Sequence, residues 1–237
     1  MNGANDSIRV NKYLTEAGYC SRREADRLLE EGRVTSSGRV LVVGEKIPTG
    51  ADVEVDGRHI MVETERILIA YNKPRDVVVT SANHEGNIIR EINYPKRVFP
   101  VGRLDKDSTG LILLTNEGRL SNEICKAANR HEKEYIVGVD KKITDRFIEG
   151  MSVGVPILGT LTRRCEVEQI DDNEFRIVLT QGMNRQIRRM CEHFKYRVTS
   201  LHRVRVMNVL LGDLLEGEYR DVTDEERAEM KRLLNWK

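Results

Sequence analysis

No apolar run in this 237-residue chain approaches the roughly 18 residues that a membrane span requires. The opening "MNGANDSIRVNKY" lacks the apolar core of a secretory signal, so a cytoplasmic protein is expected. Cysteine is sparse: Cys20, Cys125, Cys165 and Cys191 lie far apart, with no paired metal-type spacing. That argues against structural zinc and for reduced thiols. Net charge is nearly absent as well, because 39 Lys+Arg against 38 Asp+Glu leave +1. With 32% charged and 39% apolar residues, the chain is globular rather than disordered, and its length allows one large domain or two smaller ones.

Near-neutrality conceals segregation. Arg185, Arg188, Arg189, Lys195, Arg197, Arg203 and Arg205 stand against Glu192 alone, whereas the stretch 213–229 is rich in acids. Such separation points to a polyanion-binding face backed by an acidic surface, with a merely solvated basic face as the competing reading.

The first sixty residues read as a compact unit. Val10, Leu14 and Ala17 share a helical stripe that stops at Gly18. "CSRREADRLLEEG" opens a second helix with Ser21 as N-cap and Glu24 three residues on, and ends it at Gly32. Ala25, Leu28 and Leu29 form its apolar face. Strands follow near Val34 and over 40–43, turning at Ser36-Ser37-Gly38, and "DVEVDG" closes with an Asp56-Gly57 turn. Arg22 and Arg23 occupy the first helical turn, where the macrodipole disfavours cations, and Arg27 lies one turn on from Arg23. A phosphate would meet free backbone N–H and guanidinium groups there together; pairing with Asp26 and Glu30 is the bland alternative. Residues 7–60 resemble the S4 RNA-binding domain. The resemblance implies RNA contacts from Lys12, Arg22, Arg23, Arg27 and Arg33, and a domain of two helices and short strands over 7–62.

After a connector at 61–66, strand-like segments recur at 68–71, 110–114, 135–139, 175–180 and 203–209, with helical stretches between but no regular alternation. Phe175, Ile177 and Leu179 alternate as in a strand buried on one face. The expectation is an α+β domain over 67–237 with a mainly antiparallel sheet.

"VGRLDKDSTGLILLTN" presses Arg103, Asp105, Lys106 and Asp107 against an aliphatic run. A carboxylate beside a core strand is costly without cations or donors, so Asp105 predicts a cationic partner. The helix in "QGMNRQIRRMCEHF" offers one. Ile187, Met190, Cys191 and Phe194 form its stripe, Asn184 can cap it, and Arg185, Arg188 and Arg189 share the neighbouring face. Three other readings compete. A structural ion pair is the commonest fate of an Asp-Arg pair. Calcium is nearly excluded because Asn116 stands where a bidentate glutamate is needed. D-x-D-x-T also suggests a magnesium-dependent phosphatase, although the strand follows the motif instead of preceding it.

"GRLDKDSTGLILLTNEG" resembles the catalytic motif of pseudouridine synthases of the RsuA/RluB/RluE/RluF family. "NKPRDVV", "HEKEYIV" and "GMNRQIRRMCEHF" match further motifs, and the segments at 147–160 and 203–223 resemble RluF-type members. The resemblance implies Asp105 as catalytic aspartate, Tyr135 as active-site tyrosine and Arg188 as the arginine that pairs with Asp105. It also implies RNA contacts from Arg103, Arg185 and Arg189. The expected reaction isomerises a uridine of 23S ribosomal RNA on a flipped-out base; whether transfer RNA is also accepted stays open. No cofactor and no metal are expected, because nothing is oxidised and no group leaves. A monomer is the simplest state. Two departures stand out: Met183 replaces a basic residue common in relatives, and no long basic tail follows the last helix, so tail-assisted affinity is not expected. The competing class is a non-catalytic S4-type RNA-binding or ribosome assembly factor.

Overall fold

The computed structural model describes residues 7–61, 65–80 and 85–236. The start of the N-terminal stretch and residues 62–64 of the expected connector lie outside them. Contacts divide the chain into two units, one of Met1–Arg66, Pro95–Val98 and Asn116–Gly118, the other of Ile67–Tyr94, Phe99–Thr115 and Arg119–Lys237. Among the described residues no helix is long and apolar enough to cross a membrane.

In the first unit β1 (Ser7–Arg9) leads into α1 (Val10–Glu16), which buries Val10, Tyr13 and Leu14. Ala17 is already the C-cap and only half-buried, and Gly18 at φ +74° ends the helix. α2 (Arg22–Glu30) starts at Ser21, whose hydroxyl accepts from the Glu24 N–H at 3.2 Å, and buries Ala25, Leu28 and Leu29. Five short strands follow: β2 (Val34–Ser36), β3 (Arg39–Val40), β4 (Lys46–Pro48), β5 (Glu54–Val55) and β6 (Arg58–His59). Four form a small sheet in the order β3-β2-β5-β6, and β4 pairs with β1. The expected strand at 40–43 is shorter, because Val42 and Val43 are exposed and have no core to face.

The second unit is built on one large sheet. In chain order its elements are β7 (Leu68–Lys73), α3 (Ile88–Ile92), β8 (Phe99–Pro100), β9 (Thr109–Thr115), α4 (Gly118–Cys125), β10 (Lys133–Val139) and α5 (Asp145–Ser152). Then come β11 (Pro156–Ile157), β12 (Thr160–Leu161), β13 (Glu166–Asp171), β14 (Glu174–Leu179), α6 (Gln186–His193), β15 (Val198–Val206), β16 (Val209–Leu210), β17 (Tyr219–Asp221) and α7 (Asp224–Leu233). The strand order is β13-β14-β10-β15-β9-β7-β17, with β16 on β15 and β8 on β9. β9 and β15 pair in parallel, and the other neighbours run antiparallel.

Burial explains the placement. β7 is buried throughout and β9 nearly so, as central strands must be. β13 escaped the sequence reading because its residues are polar and mostly exposed; an edge strand needs only a partner's hydrogen bonds. The expected strand at 203–209 divides in two, since Met207 turns left-handed at φ 53° and reverses the chain. Phe147 of α5 packs edge-on to Phe175 of β14 at 5.3 Å, in a core shared with Ile187, Met190 and Cys191 of α6. β7 and β9 share a second core with Leu120, Ile124 and Met230.

At one point the backbone admits a single residue type. Gly110 of β9 faces Arg203 of β15 in register, at φ +99°, and a Cβ there would lie 2.3 Å from the Arg203 carbonyl oxygen. Gly110→Ala combines overpacking with a left-handed side chain and is expected to cost about 3 kcal/mol or more. Gly118→Ala, which meets no atom within 4 Å, is expected to be neutral. Urea unfolding of the two variants checks this, and equal midpoints would contradict it.

Candidate active site

The loop entering β9 carries the charged cluster. Its turn closes through the Ser108 N–H donating to the Asp105 carbonyl at 3.1 Å. Beneath it lies Lys73 of β7, fully buried, which donates to the carbonyls of Pro74 at 2.7 Å, Val77 at 3.0 Å and Lys106 at 3.5 Å. The Asp76 N–H reaches the same Lys106 oxygen at 2.8 Å. Burial pushes the Lys73 ammonium down to about 8. The sequence signal for this anchor was the Asn72-Lys73 ending of an apolar strand, where a charge could persist only with buried acceptors.

Two arginines of the α6 region meet the loop. Arg185 is the helix N-cap, left-handed at φ 49°, with no side-chain cap bond; Asn184 does not cap the helix, because its side chain accepts from Arg189 at 3.2 Å. Arg185 lies 3.5 Å from the Asp105 carboxylate and 3.3 Å from that of Asp107. Arg188 makes its ion pair with Asp107, at 3.1 Å, and also donates to the Asp107 carbonyl at 3.3 Å and the Ser108 hydroxyl at 3.4 Å. This corrects the expected Arg188–Asp105 pair: among the described residues Asp105 is paired with Arg185, and Asp107 holds both guanidinium groups. The helix geometry accounts for it, since Arg188 sits one turn further in, against the end of the loop that Ser108 closes. Asp105 is also less buried than expected, with 36% of its side chain exposed.

That exposure opens onto a cavity of about 460 Å³, lined among others by Arg103, Asp105, Tyr135, Arg185, Arg203 and Lys133. Asp105 and Tyr135 therefore share one space. Its volume lies within the range of small-ligand sites. Strand pleating supplies the far wall: Lys133 and Tyr135 alternate with Glu134, which points away to Arg176 at 2.7 Å and Arg205 at 2.8 Å. Lys133 and Arg203 were not singled out from the sequence for this site. The Lys133–Tyr135 alternation marked the first, but Arg203 depends on strand pairing that no local pattern encodes.

The remaining expected RNA contacts lie elsewhere. Arg103 is exposed at the cavity rim and makes no ion pair among the described residues. Arg189 turns back to Asn184. The basic run at 185–205 is less free than its charge suggests, because Arg197 pairs with Asp140 and Arg205 with Glu132 and Glu134. In the first unit Lys12 pairs with Glu16, Arg27 with Glu24 and Glu31, and Arg33 with Glu31 and Asp56. Arg22 and Arg23 stand exposed with no ion pair among the described residues. One grouping of potential metal ligands occurs among the described residues, Asp52, Glu54 and His59 in the first unit.

Comparison with known proteins places the chain in a family. A family model for RNA pseudouridylate synthase matches residues 67–193, and one for the S4 domain matches residues 8–53. This chain belongs to the RNA pseudouridylate synthase family. The dual-specificity RNA pseudouridine synthase RluF of Escherichia coli K12 is 52% identical over 96% of this chain and 80% of its own length. The ribosomal large subunit pseudouridine synthase B of Xanthomonas campestris is 33% identical over 94% of this chain and 50% of its own. A crystal structure of a pseudouridylate synthase superposes with a TM-score of 0.69 at 26% identity, covering 95% of this chain and 99% of that one. As a pseudouridylate synthase the protein is an isomerase with an S4 RNA-binding domain at its N-terminal side.

In this pseudouridylate synthase Asp107 titrates with a definite sign. Burial alone would raise the Asp107 carboxyl pKa, but the Arg185 hydrogen bond and the charges of Arg188 and Arg185 outweigh it and hold the value below the ordinary range. A lowered carboxyl pKa contributes stability above the unfolded value, near 3.9, that is lost as pH falls through the folded value. Asp107→Asn is therefore expected to cost about 1 kcal/mol at pH 7, screened by its partial exposure, and nearly nothing once pH lies below both values. Urea midpoints across pH 2.5–7 check it; a pH-independent difference would assign the loss to packing.

Proposed function

We propose that this isomerase converts a specific uridine of 23S ribosomal RNA to pseudouridine, with Asp105 as the carboxylate that acts at the sugar. The observation that carries the reading is a cavity holding Asp105 and Tyr135 together, with Arg185 against the carboxylate. The reaction breaks the N1–C1′ bond, turns the uracil and joins C5 to C1′. A carboxylate serves either by attacking C1′ or by taking a sugar proton. Tyr135 offers a ring for an extruded base, and the cost of unstacking that base, a few kcal/mol, is offset by backbone contacts elsewhere. Arg188 acts indirectly, fixing the loop through Asp107 and Ser108. No cofactor or metal is required by an isomerisation that consumes no electrons and releases no group.

Residues 7–62 form the RNA clamp in this reading and residues 67–237 the catalytic domain. Of the implied contacts, Arg22 and Arg23 are the strongest candidates, because they lie exposed on the first turn of α2 while Lys12, Arg27 and Arg33 have partners. The large-subunit target draws support from the Xanthomonas relative, a ribosomal large subunit pseudouridine synthase, and a second RNA substrate from the RluF relatives, named dual-specificity synthases. Transfer RNA is the class to test. The protein works in the cytoplasm as a monomer.

The test uses ribosomal RNA tritiated at uridine C5, with chelator present and no added cofactor. Stoichiometric tritium release is expected. Binding without release would favour an assembly factor, and no binding would end the reading. Replacing Arg22 and Arg23 together by alanine is expected to weaken RNA binding and flatten its log–log salt slope by about 1–2, with turnover at saturating RNA retained. An unchanged slope would remove both residues from the interface.

A further inference from the structure

The far wall of the cavity carries positive charge that no carboxylate among the described residues pairs with. Tyr135 on β10 is the register partner of Arg203 on β15, and Lys133 lies two residues from Tyr135, so all three share one face of the sheet. Arg203 is 2% exposed. Its Nε donates to the Leu111 carbonyl at 2.6 Å, its Nη2 has no hydrogen-bond partner among the described residues, and its guanidinium carbon lies 6.0 Å from the Tyr135 ring centre. Lys133 donates to the His131 carbonyl at 3.3 Å. Neither makes an ion pair among the described residues. Among the described residues Asp105 is the one carboxylate lining the cavity, and Arg185 lies against it. Burial, reinforced by the Arg203 charge, pushes the Lys133 pKa down. Two neighbouring cations held this way are costly, and a ligand that brings negative charge accounts for them.

RNA offers two kinds of negative charge. A backbone phosphate is tetrahedral, hydrated and anionic at all times. The uracil ring is neutral before and after the reaction, but when N1–C1′ breaks the bonding pair stays with the ring, spread over N1, O2 and O4. An arginine so deeply buried beside an aromatic face suits the flat ring better than a hydrated phosphate. We propose that Lys133 and Arg203 stabilise the detached uracil anion while it turns in the cavity. The ring then forms its C5–C1′ bond, releases the C5 proton to solvent and takes a proton at N1, so atoms and charge balance without any other reactant. Stabilisation of this kind acts on an intermediate and not on bound substrate, so it raises kcat rather than affinity.

The inference rests on the pseudouridine synthase reading, so the assay begins from an RNA on which the wild-type protein shows turnover; absence of that turnover sinks the reading and not this refinement. Single-turnover rates and RNA Kd are measured for Lys133→Met, Lys133→Arg and Arg203→Leu. The lysine pair keeps the test decisive if loss of the Leu111 bond unfolds Arg203→Leu. Lys133→Met is expected to lose about 100-fold in rate with Kd within about twofold, and Lys133→Arg to recover most of it. With 5-fluorouridine at the target, whose ring bears negative charge more readily, the Lys133→Met defect in glycosidic cleavage is expected to shrink to about tenfold or less. Three results would overturn the proposal: a defect confined to Kd with a reduced salt slope, a defect equal on both substrates, or a wild-type rate.

Discussion

The catalytic unit depends on the close parallel passage of β9 and β15 at Gly110 and Arg203. Side chains would normally keep these backbones apart, and only a glycine lets Gly110 sit in register against the Arg203 carbonyl. The consequence is spatial. The loop that feeds β9 carries Asp105, and the strand next to β15 on its other side carries Tyr135. Bringing β9 and β15 together therefore brings the carboxylate to the same cavity as the ring. The Arg203 Nε bond to Leu111 ties the two strands one residue further on.

Electrostatics divides the two aspartates of the loop. Asp107 receives both arginines, and its neighbours Ser108 and the Asp107 carbonyl are bonded as well, so it serves as the anchor. Among the described residues Asp105 makes one ion pair, with Arg185, and keeps an open side toward the cavity. A carboxylate with all its lone pairs committed to guanidinium groups would be a poor nucleophile or base, whereas one that is oriented but free on one side suits the chemistry. Lys73, underneath, holds the loop backbone by its carbonyls rather than by charge pairing. The loop is thus fixed from below and from the side, and the Asp105 carboxylate is left open to the cavity.

Much of this was legible in the sequence where the signal is local. Ser21 caps α2 as its spacing with Glu24 suggested, and the Asp56-Gly57 turn closes a hairpin. The motif carrying Asp105, and the resemblance it shows, led to the family that the comparisons establish. What could not be read depends on distance in the chain. Two aspartates two residues apart and three arginines on one helix face allow several pairings, and only the turn geometry selects Arg185 for Asp105. Arg203 looked like one more member of a basic run, yet strand pairing buries it in the cavity wall while Arg197 and Arg205 find carboxylates. The polar edge strand β13 carries no apolar alternation to reveal it.

The proposed reaction depends first on Asp105, the carboxylate left open to the cavity. Asp105→Asn preserves shape and removes the charge, so the most direct measurement is C5 tritium release by this variant beside its RNA Kd. The account predicts that release falls by about a thousandfold or more with Kd essentially unchanged. Turnover within a few-fold of the wild-type protein would contradict it.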